Sequence, residues 1–186
     1  MDILLKFFIY SVLGCGLEVL WCFLIDKKIR SRRMLLKLPM CPVYGIGGVL
    51  MSLFLSGFRD NLILLWSFGA LLASAVELLY FLIFRRAFKI FAWDYSHKTA
   101  NFMGGVCGGY TLLWGVVAVV FVRYIDPAVT WWLGMQSEYG KLVAAVFLAL
   151  TVLGDMRSTA SVLSDFGKGD VQQLPECFWY MKRSSS

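Results

Sequence analysis

Residues 93–115 read WDYSHKTANFMGGVCGGYTLLWG, and they combine polar and apolar residues in a pattern that is informative about the fold. It opens on the polar tetrapeptide WDYS (93–96), passes Asn101 and then crosses four glycines, at positions 104, 105, 108 and 109. It ends in an apolar run that contains Trp114 and Gly115. A polar cluster that leads directly into a glycine-rich apolar helix is costly in lipid, and it usually serves a site or a close helix contact. The stretch therefore predicts a polar site at the end of a membrane helix.

The composition of the whole chain is that of an integral membrane protein. Of 186 residues, 59% are hydrophobic and only 16% are charged, and the mean hydropathy is +0.70. Soluble domains have about 45–50% apolar and about 25% charged residues. Since a membrane helix needs roughly 20 apolar residues, this length predicts an all-α, polytopic transmembrane helix bundle of about five spans. We expect a single domain over residues 1–165 and a polar cytoplasmic tail over residues 166–186.

The apolar runs define five predicted spans, over residues 3–25, 43–58, 62–84, 105–125 and 139–163. The second span is short and follows two prolines, so its entry is expected to be an extended segment buried in protein. Asp126-Pro127 is expected to end the fourth span. Residues 128–137 contain Trp131-Trp132 and are too short to span, which predicts a segment along the membrane interface. The fifth span is expected to continue to about residue 163, with Asp155, Arg157 and Ser158 interrupting its apolar run.

The distribution of basic residues predicts the orientation in the membrane. The formal net charge is +6, and most of the basic residues lie in loops 26–38 and 85–103. Loop 59–61 and segment 126–138 are poor in Lys and Arg. Because basic loops stay in the cytoplasm, the N-terminus is predicted outside and the C-terminus inside the plasma membrane of a bacterium. Basic residues confined to short loops between apolar runs argue against nucleic-acid binding.

The thiol and imidazole content gives no support to a disulfide framework or a zinc site. The five cysteines include no CxxC pair, and His97 is the single histidine. Buried thiols mostly behave as small hydrophobic side chains.

Three carboxylates are predicted to lie at a similar depth. Glu18 and Glu77 are each seven residues from the predicted inner end of their span, and Asp155 is six to eight residues from the end of the fifth. At about 1.5 Å per residue, each lies roughly 10 Å inside the cytoplasmic boundary. An intramembrane carboxylate costs about 2.5–3.5 kcal/mol, so these side chains should face the bundle interior. Structural ion pairs with Arg85, Lys98 or Arg157 are the alternative to a binding site.

Four further residues are predicted on the same side of the bundle. Asp94, Tyr95, Tyr44 and Asn101 could ring the mouth of a site formed by the carboxylates. For Tyr95, as for Trp93, anchoring at the membrane interface is the competing interpretation.

Several motifs occur in a characteristic order: an acid-bearing first span, CPVYGIG (41–47), Glu77, WDYS (93–96), Asn101 with Gly104 or Gly105, and LLWG (112–115). In these motifs, over about residues 7–165, the chain resembles the ABC-transporter type IV (permease-like) family of small bacterial multi-pass membrane proteins. It departs from that family at RRMLLKLPM (32–40), where an Arg-Gly-Phe-Leu-type stretch is common. The resemblance implies transport and a separate ATPase subunit, which would dock on the basic cytoplasmic loops.

The leading hypothesis is therefore a membrane transport component with an acidic intramembrane site near the cytoplasmic side. The site would bind a proton, another cation or an amine-bearing substrate. A small five-span bundle leaves little room for a pathway, which favours a homodimer. One alternative is an intramembrane enzyme acting on a lipid headgroup, with a divalent cation such as Mg²⁺ on Glu18, Glu77 and Asp94; the chain has no HExxH or GxSxG motif. The other is a non-catalytic assembly or regulatory protein.

Overall fold

A computed structural model describes residues 1–27, 33–175, 178 and 182–183 as an all-α bundle. Its helices are α1 (Asp2–Asp26), α2 (Pro42–Phe54), α3 (Leu62–Phe88), α4 (Gly108–Val120), α5 (Asp126–Gly134) and α6 (Glu138–Lys168). A 3-10 turn, Ser56–Phe58, follows α2, and a π-helical segment, Phe121–Ile125, joins α4 to α5. Within the described residues, four stretches are long and apolar enough to cross a membrane, and α2 is a shorter apolar helix. The predicted helix bundle is confirmed.

Capping residues mark the ends of several helices. The side chain of Asn61 accepts a hydrogen bond from the Leu64 N–H at the start of α3, at 3.1 Å. Ser137 accepts from the Gly140 N–H at the start of α6, also at 3.1 Å. Gly169 ends α6 at a φ of 94°, a conformation that glycine adopts without strain. These caps explain why the third and fifth apolar runs form separate helices of 27 and 31 residues.

The prediction that Asp126-Pro127 ends the fourth span is wrong. The chain continues helically through the π segment into α5, so that Gly108–Gly134 forms one stretch of spanning length. The Asp126 N–H bonds to the Phe121 carbonyl, five residues earlier, and Pro127 follows in the first turn of α5, the part of a helix that tolerates a missing N–H best. Residues 128–137 are consequently not a separate interfacial segment. The polar residues Asp155, Arg157 and Ser158 interrupt the apolar run of the fifth span but not its helix, since α6 runs unbroken to Lys168.

Helices α1 and α2 approach closely at glycines. A Cβ atom on Gly14 would overlap the ring of Tyr44, and one on Gly45 would overlap the side chain of Ser11. Small residues in membrane helices commonly allow such close contact between backbones. The missing Cβ at Gly14 allows Tyr44 to lie directly against α1.

Replacing Gly14 by alanine should lower the free energy of unfolding by about 1–3 kcal/mol, because the Tyr44 ring must move to admit the methyl group. Unfolding in mixed detergent micelles would measure the change. Gly16→Ala is the matched control, since a Cβ there meets nothing within 4 Å and alanine favours the helix. Equal stability of the two variants would contradict close packing at Gly14.

The segment that leads into α2 is partly buried against α6, with Leu35 and Met40 buried and Lys37 and Pro39 exposed. The backbone N–H groups of Lys37 and Leu38 donate to Asp155 Oδ2 on α6, at 3.0 and 2.8 Å. The Leu36 N–H donates to Thr159 Oγ1 at 3.2 Å. Non-helical backbone at membrane depth needs such partners within the protein. These contacts hold the non-helical entry segment against α6, and its burial within the membrane stays a prediction.

One end of the bundle carries a group of basic side chains, and we call it the basic end. There α1 and α3 finish and α2 and α4 begin, and the side chains concerned are Lys27, Arg33, Lys37, Arg85, Arg86 and Lys89. Two short antiparallel strand pairs lie at this end: β1 (Ile90–Phe91) pairs with β4 (Lys182–Arg183), and β2 (Asn101–Phe102) pairs with β3 (Val106–Cys107). We call the other end, with the turn at Arg59, the opposite end. Which end faces the cytoplasm stays a prediction.

Candidate functional site

Glu77 on α3 is a buried carboxylate with a donor on each oxygen. Its exposed fraction is 7%. Oε1 accepts from the Tyr95 hydroxyl at 3.1 Å, and Oε2 accepts from the Trp114 indole N–H at 2.9 Å. Two donors from different elements fix the orientation of this carboxylate.

Glu18 on α1 is half-buried, and the Tyr44 hydroxyl donates to its Oε1. The ring of Tyr44 packs edge-on against Trp114, with the ring centroids 5.7 Å apart. Trp114 thus contacts Glu77 through its N–H and, through its ring, the tyrosine that holds Glu18. We call Glu18, Glu77, Tyr44, Tyr95 and Trp114 the carboxylate cluster.

Aromatic rings continue around the carboxylate cluster. Tyr95 lies against Tyr110 with ring centroids 5.0 Å apart, and Tyr110 lies 6.2 Å from the ring of Trp21. Trp21 is on α1, about one turn beyond Glu18. Aromatic side chains therefore lie beside the two carboxylates, and the in-plane hydroxyl and indole N–H groups of Tyr44, Tyr95 and Trp114 contact the carboxylate oxygens.

The WDYS loop positions Tyr95 through its backbone. The Trp93 indole N–H donates to the Gly105 carbonyl at 2.7 Å, and the Tyr95 N–H donates to the Gly104 carbonyl at 2.9 Å. Gly104 has a φ of 72°, which explains the glycine there. These bonds tie the loop to the start of the fourth apolar run. They direct the Tyr95 ring inward to Glu77.

Burial and the neighbouring Glu77 carboxylate raise the pKa of Tyr95 far above its ordinary value. At neutral pH the hydroxyl therefore keeps its proton. It can act as a donor to Glu77 and cannot act as a second negative charge in the cluster.

Asp94 and Asn101 brace the same loop. Asp94 is exposed, and its Oδ1 accepts from the Ser96 N–H at 2.9 Å. The Asn101 amide donates to the carbonyls of Lys98, at 2.8 Å, and Ser96, at 3.3 Å. Both side chains thus stabilise the turn that carries Tyr95, while a direct binding role for them stays a prediction.

The contacts of Asp155 differ from those of Glu18 and Glu77. It is 4% exposed, and its Oδ2 receives the two N–H groups of the entry segment. Among the residues that the structure describes, its Oδ1 has no hydrogen-bond partner. Shared aromatic contacts therefore connect two of the three predicted carboxylates, Glu18 and Glu77. The third, Asp155, contacts the segment before α2 instead.

Sequence reasoning missed two features. Trp114 was noted as part of a motif, yet its indole N–H is a direct partner of Glu77. A buried ion pair at the opposite end, Lys6 Nζ to Asp126 Oδ1 at 2.7 Å, was not foreseen. Its signal was present, because a lysine inside an apolar span requires a partner.

Metal ligation was left open by the sequence. Within residues 1–27 and 33–175, and at the few described positions beyond, no three His, Cys, Asp or Glu side chains are grouped so that they could hold a metal ion.

Apolar helices of spanning length, with carboxylates held inside the bundle, define a multi-pass membrane protein. The chain belongs to the family described as "Putative ABC-transporter type IV", whose family model matches residues 5–160. Membership confirms the resemblance found in the sequence motifs and makes the chain a transport-related membrane protein. No curated protein and no solved structure matches the chain.

Proposed function

We propose that the protein is a permease-like transport component in which Glu18 and Glu77 bind a cation on its way through the bundle. The observation that carries this proposal is the pairing of two intramembrane carboxylates through Tyr44 and Trp114. Intramembrane carboxylates are expensive to bury and usually mark an ion or substrate pathway. A site of this kind would lie near the cytoplasmic face if the basic end is cytoplasmic.

Among a proton, a metal cation and an amine-bearing substrate, the surroundings favour the amine. An organic ammonium group gains both charge attraction from carboxylates and cation–π attraction from tryptophan and tyrosine faces. Aromatic rings whose faces such a ligand would contact lie near Glu18 and Glu77, on Tyr44, Trp114, Tyr95 and Tyr110. A hard divalent ion prefers a set of several oxygen ligands instead.

Transport of the ABC type would require a separate ATPase subunit. We place its docking surface at the basic end, where Arg85, Arg86 and Lys89 are exposed. The membrane would be the plasma membrane of a bacterium.

The binding proposal is tested by thermal unfolding of the purified protein with choline, putrescine or Mg²⁺. We expect an organic amine to raise the Tm of the wild-type protein, because it binds only the folded state. Glu77→Gln and Glu18→Gln should each lose most of that shift while remaining folded. Asp60→Asn is the matched control, since Asp60 is an exposed carboxylate in the turn between α2 and α3.

Two results would contradict the proposal. One is an equal ligand response in wild type, Glu77→Gln and Glu18→Gln when all three fold. The other is a shift with Mg²⁺ alone that depends on the same carboxylates, which would favour a metal-dependent function.

A further inference from the structure

A second intramembrane polar contact lies at the opposite end of the bundle. The Lys6 ammonium group contacts Asp126 Oδ1 at 2.7 Å and Ser52 Oγ at 2.9 Å. The Tyr10 hydroxyl donates to the same Asp126 oxygen at 2.6 Å. Only 13% of the Lys6 side chain and 9% of the Asp126 side chain are exposed. This ion pair therefore joins α1 and α2 to the start of α5 in a nearly dry environment.

The ion pair is attached to an irregular piece of helix. The π segment Phe121–Ile125 ends directly before Asp126, and π segments within helices are frequent at functional sites. Phe121 packs against the Tyr10 ring with centroids 4.8 Å apart. A π turn contains one residue more than an α turn needs, so a change between the two shifts the following residues along the helix. Asp126 is the first residue that such a shift would move.

A reciprocal contact holds the same segment from its other side. Arg59, in the turn between α2 and α3, donates to the Val122 carbonyl at 3.1 Å. Arg123 donates in return to the Arg59 carbonyl at 3.1 Å. The π segment is thus fixed between the Lys6 ion pair and the Arg59 turn.

The ion pair and the carboxylate cluster occupy different levels of the bundle. Lys6 and Glu18 are twelve residues apart on α1, which corresponds to about 18 Å along the helix axis. Between these levels lies a packed apolar cluster that includes Tyr10, Met51, Leu65, Ala73 and Phe121. Ala73 is one helical turn before Glu77 on α3.

We propose that the Lys6–Asp126 ion pair is a latch that keeps the opposite end closed to water, and that it opens when the π segment rearranges. An intramembrane ion pair suits this role because its partners are stable either paired and dry or separated and hydrated, and poorly in between. With the latch closed, access to the carboxylate cluster is limited to the basic end. The identity of the transported cation rests on the proposed function. The opening of the latch does not, because it depends only on contacts within the bundle.

Thiol labelling tests the latch without any transported ligand. In full-length protein with all other cysteines replaced by serine, one reporter is Ala73→Cys, below the latch, and the other is the native Cys107 at the basic end. Both positions are buried, at 8% and 4% exposure. A positively charged methanethiosulfonate reagent should label both slowly when the latch is intact.

Asp126→Asn should raise the labelling rate at Ala73→Cys by about tenfold or more, since open states become more populated, and should leave Cys107 unchanged. The charge-reversed pair Lys6→Asp/Asp126→Lys should restore slow labelling. Should Asp126→Asn fail to fold, Tyr10→Phe, which keeps the ion pair, should give a smaller rise at the same reporter.

An unchanged rate at Ala73→Cys in a folded variant would overturn the latch. An equal rise at both reporters would also overturn it, because it would indicate general loosening. The ligand-induced Tm shift could fail while this labelling pattern appears, so the two proposals are separable.

Discussion

Replacing Lys6 by methionine should lower the free energy of unfolding by about 3 kcal/mol. The substitution leaves the buried Asp126 carboxylate without its cation, and removing one partner of a buried pair typically costs about 3–5 kcal/mol. An unpaired carboxylate within a membrane carries a similar cost of about 2.5–3.5 kcal/mol. The Tyr10 hydroxyl remains as a donor, which places the expected value at the lower end. Unfolding in mixed detergent micelles gives the measurement.

The double variant Lys6→Met/Asp126→Leu should recover most of that loss, because it removes both charges and leaves apolar side chains in their place. Asp2→Asn is a control from the same helix. Asp2 pairs with Lys141 at 3.0 Å but is 54% exposed, and Lys141 also pairs with Glu138, so loss of Asp2 should cost much less than loss of Lys6. A double variant as unstable as Lys6→Met would show that the cost arises from packing and not from an unpaired charge.

Replacing Asp155 by leucine should also destabilise the protein strongly, by about 3 kcal/mol. The Lys37 and Leu38 N–H groups would lose their shared acceptor, and hydrogen bonds to a charged group contribute about 1.5–3 kcal/mol each. Removal of a buried charge offsets part of the loss. Asp155→Asn should be milder, because its amide oxygen can still accept from the segment.

Limited trypsin digestion would detect release of the segment before α2 in the Asp155→Leu variant. Trypsin cleaves after Arg33 and Lys37, and cleavage of a folded protein reports local opening. We expect faster cleavage at these sites in Asp155→Leu than in wild type. Arg157→Leu changes an exposed charge two residues away on α6 and should leave both stability and cleavage unchanged. Slow cleavage in a destabilised Asp155→Leu variant would show that Asp155 supports α6 packing and does not hold the segment.

For Glu18, Glu77 and Asp155, the sequence predicts the depth along each helix but not the contacts of the side chain. Depth along a helix is a local property, so the matching positions of Glu18 and Glu77 in their spans predicted a common level. The direction in which a carboxylate points around the helix axis depends on which neighbours pack against it. Asp155 was assigned to a similar level, yet its described contacts are with the backbone of residues 37 and 38.

The sequence by itself determined the class of protein, the number of apolar helices and the family, because apolar length and ordered motifs are properties of the chain read along its length. The tertiary structure alone decided that Trp114 donates to Glu77 and that Lys6 pairs with Asp126, across 37 and 120 positions respectively. It also decided that Asp126-Pro127 continues a helix, since a π segment could absorb the irregularity. The physical reason is that lipid acts on each segment separately, whereas side-chain partners inside the bundle are chosen by packing between segments far apart in sequence.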